Sequence, residues 1–415
     1  MSFPRFNTLL PELQHEIMRQ CNASDLSALA QTCRMMHNEA LPFLYRHVDI
    51  SCHNDPGPHT SQLGGEITAD NPTRSYATFG MERQRSFQSR QGMFFEAITK
   101  HPEYGRYVEY LTWTYFRFFD KPGQKLIDIQ PMWIAFKHLE RVKVLDFAAW
   151  ADETVMSVLD RARAPPLLFP NVQRLRLTGH MPSVFITKLI DSNPAGLVSL
   201  ECNNLIDSGD EVSYYEDTPR GIGISPLQDD DDDDEFLGFA PAELMSGHLQ
   251  LLEGRCVKLR HLTIRSLGQD LDETWAEANN PFGSVEKDEA RYKEWALFIS
   301  SVRNTLESLT IEQGTAIDFG DDNYYGRPRL QKTGLPMDDR LLQYVLPIFT
   351  QGQWPTLKRL EILGIGSKPR RFVRDFTPRD PNVYAAARKS LADLLEPGGV
   401  LVFDSTVRRG FFDGQ

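Results

Sequence analysis

The chain has 415 residues, 41% of them hydrophobic and 25% charged, and a formal net charge of −12. That is the balance of a soluble globular chain of two or three domains, and no apolar run approaches the ~18 residues of a membrane helix. Twelve acidic residues and a single basic one, Arg220, lie between Asp207 and Glu235. That stretch holds −11 of the −12, so the remainder is nearly neutral and no global field steers the chain toward nucleic acid. The first residues lack a basic segment followed by an apolar stretch, so no secretory signal is expected. The five cysteines (Cys21, Cys33, Cys52, Cys202, Cys256) are odd in number and free of CxxC spacing. They predict free thiols packed as small hydrophobes in a reducing compartment, cytoplasmic or nuclear.

In chain order, the first predicted elements are three short helices. Pro11 suits a first helical turn, where its missing N–H is no loss. Leu13, Ile17 and Cys21 follow on one face. Ser24 reads as an N-cap with Asp25 in the first turn, and Leu26, Leu29, Ala30 and Cys33 form a second stripe. A third helix is predicted over 34–41, interrupted by Pro42. Three helices in about fifty residues bury too little surface to stand alone, so they need the rest of the chain or a partner.

The Leu9-Leu10-Pro11-Glu12-Leu13 opening, Ile17, the Asp25-Leu26-Ser27-Ala28-Leu29-Ala30 helix, Cys33-Arg34 and the closing Leu44-Tyr45-Arg46 stand in the order found in an F-box. The segment resembles that family over roughly residues 6–48. The resemblance implies binding to the Skp-type adaptor of cullin–RING ubiquitin ligases through Leu9, Leu10, Pro11, Leu13, Ile17, Leu26 and Leu29. It implies too that the rest of the chain recruits a client. No tryptophan precedes Trp113, although many members of the family have one late in the motif.

Residues 1–50 are thus expected to form the helical unit and 51–90 a polar linker rich in Pro, Gly, Ser and Thr. Residues 91–405 form a second domain carrying an acidic insert at 207–235, and 406–415 form a tail. Within that domain an apolar-x-x-apolar-x-apolar pattern recurs. It appears as Val108/Leu111/Trp113, Leu139/Val142/Val144, Val172/Leu175/Leu177, Leu197/Leu200/Cys202, Leu259/Leu262/Ile264, Leu306/Leu309/Ile311 and Leu357/Leu360/Ile362. Alternation within each copy predicts a short strand with one buried face. Helical patterns over 152–163, 183–191, 288–304, 338–349 and 381–395 lie between copies. Strand then helix, repeated, predicts an α/β solenoid of parallel strands. The copies resemble irregular leucine-rich repeats. Uneven spacing leaves a closed or doubly wound α/β domain as the alternative architecture.

In a solenoid, the strand side chains between the leucines form the open face. They include Thr112, Thr114, Lys143, Leu145, Arg176, Thr178, Glu201, Asn203, Thr263, Arg265, Thr310, Glu312, Glu361 and Leu363. Thr112, Lys143, Arg176, Glu201, Thr263, Arg265, Thr310, Glu312 and Glu361 are the candidate client contacts. Mixed charges and small hydroxyls suit reading a protein surface; the long loops compete for that role.

Other motifs carry less. Cys52-His53-Asn54-Asp55 with His59 lacks the second ligand pair of a structural zinc site. The run Asp229–Asp234 lacks the alternation and glycine of a calcium loop and reads as a solvated, self-repelling segment. Lys368-Pro369-Arg370-Arg371-Phe372-Val373-Arg374 is one basic patch in a neutral body. Gly364-Ile365-Gly366-Ser367-Lys368 lacks the spacing of a phosphate loop and reads as a turn. The aromatic run from Trp113 to Phe119 reads as core before partner anchor. No nucleophile elbow, zinc-binding His-Glu-x-x-His or paired-carboxylate arrangement is present, so the expectation is a non-enzymatic chain without cofactor or metal. The leading expectation is the client-recruiting subunit of a ubiquitin ligase, partnered by a Skp-type adaptor, a cullin through it, and a protein client. A scaffold without a ligase role is the alternative, and an α/β enzyme with its site in the irregular loops a remote one.

Overall fold

The computed structural model describes residues 6, 9–51, 81–116, 130–150, 167–181, 183–207, 243–268, 285–316, 332–333, 336–366, 376–377, 379–395 and 397–405. Expectations for 152–163, the zinc-like residues 52–59, the aspartate run and the basic patch lie outside these.

Nine parallel strands make one sheet: β1 (His47–Ile50), β2 (Tyr110–Phe116), β3 (Val144–Trp150), β4 (Arg174–Met181), β5 (Ser199–Asp207), β7 (His261–Gly268), β8 (Ser308–Ala316), β10 (Arg359–Leu363) and β12 (Val400–Asp404). Their order across the sheet is their order along the chain. β1 and β12 lie at opposite ends, so the sheet is open and has no point where strand order reverses. A two-residue strand, β6 (Glu243–Leu244), returns antiparallel against the end of β5, pairing Asp207 with Glu243. Asp207 and Glu243 therefore lie side by side on neighbouring strands. β9 (Lys332–Thr333) pairs with β11 (Phe376–Thr377) in a separate ribbon.

Parallel neighbours require crossovers, and helices supply them. These include Met81–Lys100, Gln130–Phe136, Ser183–Asp191, Val285–Ser301 and Pro381–Ala392. The stretch Pro336–Arg340 continues through a π turn, Leu341–Val345, into Leu346–Thr350. The helix Met81–Lys100 begins within the stretch 51–90 expected as linker.

The same backbone contact fixes seven of the eight steps of the sheet, and in the last, β10 to β12, the Lys358 carbonyl accepts the Val400 N–H at 2.8 Å. The carbonyls of Arg46, Glu109, Lys143, Gln173, Val198, Arg260 and Glu307 each accept two successive N–H groups from the next strand's start, at 2.7–3.1 Å. This series corrects the second repeat. Its buried positions are Val142, Leu145 and Phe147, equivalent to Val172, Leu175 and Leu177, with Leu145↔Leu175 and Phe147↔Leu177 in register. Leu145 is thus core, and Lys143 sits at the strand's leading rim, equivalent to Glu109. The sequence permitted both frames because Leu139 and Val142 are both apolar and both buried.

The core lies between the sheet and its helices. Leu111, Trp113, Leu145, Phe147, Leu175, Leu177, Leu200, Cys202, Leu262, Ile264, Leu309, Ile311, Leu360 and Ile362 face Phe94, Ile98, Phe136, Ile190, Phe298, Ile299, Val345, Phe349 and Leu391. Trp113 meets Phe136, Phe147 and Phe185 at ring separations of 4.8, 4.4 and 6.4 Å, which makes it core.

The N-terminal helices α1 (Pro11–Gln20), α2 (Ala23–Ala30) and α3 (Arg34–Leu44) close a second, smaller core on Met18, Leu26 and Ala40. Phe6, Cys21, Leu29, Met36, Phe43 and Leu44 pack around it. The α2 cap is Asn22, whose side chain accepts the Asp25 N–H at 2.9 Å, so the helix begins before Ser24. Pro42 sits inside α3 without ending it. The unit ends at Arg46, not residue 50. β1 belongs to the large sheet, pairing His47 with Tyr110, and Ile50 enters the main core.

Candidate interaction surfaces

Two surfaces carry the residues singled out in the sequence. The first is α1. Leu10, Leu13 and Ile17, spaced three and four apart, share one helix face. They are 66%, 51% and 41% exposed, and Pro11 beside them is exposed as well. Met18, one residue on, is fully buried. The helix therefore spends one face on its own core and holds a second apolar face outward. The loop before α1 is fixed by Gln14, whose amide donates to the carbonyls of Phe6 and Leu9 at 3.1 and 2.9 Å. Met35, in the first turn of α3, is also exposed. Leu9 and Leu29 are half-buried, Leu29 against the small core. Leu26 departs from the predicted contact set. It is 4% exposed and packs inward with Met18 and Ala40, because a unit this small needs its best-placed leucine for its own interior.

The second surface is the sheet face away from the helices. Thr112, Asp146, Arg176, Glu201, Thr263, Thr310 and Glu361 stand abreast on successive strands. Thr178, Asn203, Arg265 and Glu312 stand abreast one step further along the strands. Opposite charges alternate and pair laterally. Arg176 approaches Asp146 at 3.5 Å and donates from Nε to Glu201 at 2.8 Å. Arg265 donates from Nη1 to Glu201 at 2.6 Å and to the Asn203 carbonyl oxygen at 2.9 Å, and from Nε to Glu312 at 2.9 Å. Asn203 donates in turn to Glu201 at 3.0 Å. At the far side Glu361 accepts from the Thr310 hydroxyl at 3.1 Å and from Arg359 Nε at 2.8 Å.

This row corrects the picture of an exposed reading face. Arg176, Glu201, Thr310, Glu312 and Glu361 are all buried, and Thr112, Thr263 and Arg265 half-buried. Lys143 is exposed on the rim and bonds Glu109 at 3.2 Å. Burial pushes the Glu201 carboxyl up, but Arg176, Arg265 and the Asn203 amide outweigh it and hold the group below the usual carboxylate range. Sequence reading missed Asp146 because its repeat was framed three residues too early; the alternation Leu145-Asp146-Phe147 was the available signal.

Further buried polar groups lie toward the C-terminal strand ends. Asp288 binds Arg291 and also accepts from Arg340 at 2.5 Å, and Arg291 reaches the Ser266 hydroxyl. Glu294 receives the N–H groups of Gly247 at 2.7 Å, Leu249 at 2.5 Å and Gln250 at 2.9 Å, fixing that turn to its helix. Ion pairs outside any amphipathic rule gave no sequence signal.

Among the described residues, no group of three His, Cys, Asp or Glu side chains is placed to hold a metal ion. No helix among them is long and apolar enough to cross a membrane. Cys202 and Cys256 are buried, and burial pushes the Cys256 thiol up to about 12; Cys33 is exposed, against expectation. Gly364 and Gly366 have φ of +81° and +70° and form the turn after β10.

The architecture is α/β, built on an open nine-strand parallel sheet. No protein-family model matches the chain, and no curated protein matches it.

Proposed function

We propose that this chain is the substrate-recognition subunit of a cullin–RING ubiquitin ligase, with α1–α3 docking a Skp-type adaptor and the repeat body, leucine-rich-repeat-like in its build, holding a protein client. The observation that carries the reading is the outward set Leu10, Leu13 and Ile17 on a helix whose other face already closes a core on Met18. An unpaired apolar helix face of this kind is the ordinary substrate of helix-in-groove recognition. Covering each such side chain contributes roughly 1.5–3 kcal/mol. Among the described residues the strands keep chain order, without the reversal at which doubly wound enzymes bind ligands, and this favours a binding role over chemistry. In that role the chain raises the effective concentration of client near a ubiquitin-charged enzyme.

The buried charges of the sheet face satisfy one another and offer little to a client. Client contact is better sought at half-exposed Thr112 and Thr263, at the rim with Lys143, and on the connections beyond the strand ends.

The test is size-exclusion chromatography of the full chain mixed with purified Skp-type adaptor. A one-to-one complex is expected, lost in Leu10→Asp/Ile17→Asp at unchanged circular dichroism. Complex formation undiminished in that variant rejects the reading. Adaptor binding without any effect of deletion on client turnover would leave a scaffold.

A further inference from the structure

One row of the open sheet face stands nearer the surface than the buried ion pairs. Strand register sets Arg174 of β4, Ser199 of β5, His261 of β7, Ser308 of β8 and Arg359 of β10 abreast. Each precedes a member of the buried row by two residues, so it shares that row's face. His261 and Arg359 are exposed, and the other three are half-buried. His261 Nδ1 lies 2.9 Å from the Ser308 hydroxyl. Arg359 bonds Glu361 of the buried row and still keeps 46% of its side-chain surface exposed.

The residues just ahead of this row add charge in a repeating way. Glu307 stands between Arg260 at 3.6 Å and Lys358 at 3.1 Å. Glu109 stands likewise between Arg46 at 3.3 Å and Lys143 at 3.2 Å. Each carboxylate is shared by two cations, so each trio carries a surplus positive charge. The cations are outermost: Arg260 and Lys358 keep 61% and 75% of their side-chain surface exposed, Glu307 only 28%. Partial burial lowers the His261 pKa, and Arg174, Arg260 and Lys358 lower it further against Glu307, so three cations gather around this imidazole. The strip is cationic in a chain whose net charge is −12.

We propose that the leading edge of the sheet from β4 to β10 is a recognition surface for an extended acidic segment of a protein partner, with carboxylates seated on Arg174, Arg260 and Lys358 and polar groups on Ser199 and Ser308. Charge complementarity supplies the attraction, and the guanidinium and hydroxyl donors supply directed bonds. Four strand steps of about 4.8 Å span about 19 Å, the length of about six extended residues. Nucleic acid fits less well. Glu307 in the middle of the strip repels a backbone charged at every nucleotide, and no Phe, Tyr or Trp stands in the row from Arg174 to Arg359 for bases to stack on. That the partner is a client rests on the ligase reading above; the binding itself does not, and its test uses no adaptor, so either can fail alone.

Fluorescence anisotropy of the full chain tests this with a fluorescein-labelled Glu-Ser repeat peptide of about eight residues and its Gln-Ser counterpart. The Glu-Ser peptide is expected to bind at least about tenfold more tightly than the Gln-Ser one, and less tightly as salt is raised. Arg260→Gln/Lys358→Gln should weaken it about tenfold at unchanged circular dichroism, and Glu307→Gln, which releases both cations, should tighten it about threefold. Lys293→Gln, exposed on the helix Val285–Ser301, should change nothing. No binding of the Glu-Ser peptide, or binding that Arg260→Gln/Lys358→Gln leaves intact, overturns the proposal. An oligonucleotide of equal charge held as tightly through Arg260 and Lys358 overturns it in favour of nucleic acid. Peptide binding gained only when Asp229–Asp234 are all replaced by Asn overturns it in favour of the chain's own acidic run.

Discussion

Arg265 of β7 places its Nη1 2.6 Å from a Glu201 carboxylate oxygen on β5, while its Nε lies 2.9 Å from Glu312 on β8. One guanidinium thus ties three successive strands from the face opposite the main core. Its fork geometry makes this possible; an ammonium presents no second fixed donor.

Removing that side chain takes one cation from two buried carboxylates, Glu312 and Glu201, the second of which keeps Arg176. Arg265→Ala is expected to cost about 3–5 kcal/mol, read from urea unfolding. The double variant Arg265→Met/Glu312→Leu should cost less, since that cation and that carboxylate leave together and Glu201 keeps Arg176. Equal losses in the two would show that packing, and not charge pairing, is what Arg265 supplies.

The same row predicts acid sensitivity. Arg176 and Arg265 hold Glu201 low against its burial, so its contribution is present above the ordinary 4.5 and is lost as pH falls below it. Urea midpoints should drop on acidification from pH 4.5 to pH 3, with little dependence on salt because the pairs are buried. In Arg265→Ala the loss should begin at higher pH. A flat profile across this window would contradict the assignment.

Leu13 and Leu26 should part company on mutation. Leu13→Asp lies on the exposed face and is expected to move stability by about 0.5 kcal/mol or less. Leu26→Ala opens the small core and is expected to cost about 2–5 kcal/mol within the helical unit. Thermal unfolding followed by circular dichroism separates the two, and on the proposed adaptor role Leu13→Asp is expected to keep the fold while losing adaptor binding.

Glycine contributes differently at two positions of similar φ. At Gly364 (φ +81°) an added Cβ would lie 1.9 Å from the Gln313 carbonyl oxygen. At Gly247 (φ +84°) it would meet nothing within 4 Å. Gly247→Ala should therefore cost only the left-handed penalty of about 1–2 kcal/mol, and Gly364→Ala about 3 kcal/mol or more. Denaturant midpoints of the two variants check the ordering.

Much of the body was legible in the sequence because burial in a repeated strand follows local alternation. Leu175 and Leu177, Leu262 and Ile264, Leu309 and Ile311 all fall on the core side as read, and the helix 183–191 has the predicted bounds. The second repeat was misframed because Leu139, Val142, Val144 and Leu145 satisfy two patterns. Only the backbone bonds to Glu109 choose between them. Leu10, Leu13 and Ile17 could be grouped on one helix face from their spacing. That Leu26 turns inward could not, since α2 has one apolar stripe whether it meets Met18 or a partner.

The sequence by itself determined the period of the strands, the apolar stripes of the helices and the place of the acidic insert, all properties of residues near one another in the chain. Only the tertiary structure decided that Arg176, Glu201, Arg265 and Glu312 neutralise one another in a buried row, and that Asp338 meets Gly366 and Tyr384. Those partners are 25 to 64 residues apart. Their pairing depends on strand register and helix docking, which no local pattern encodes.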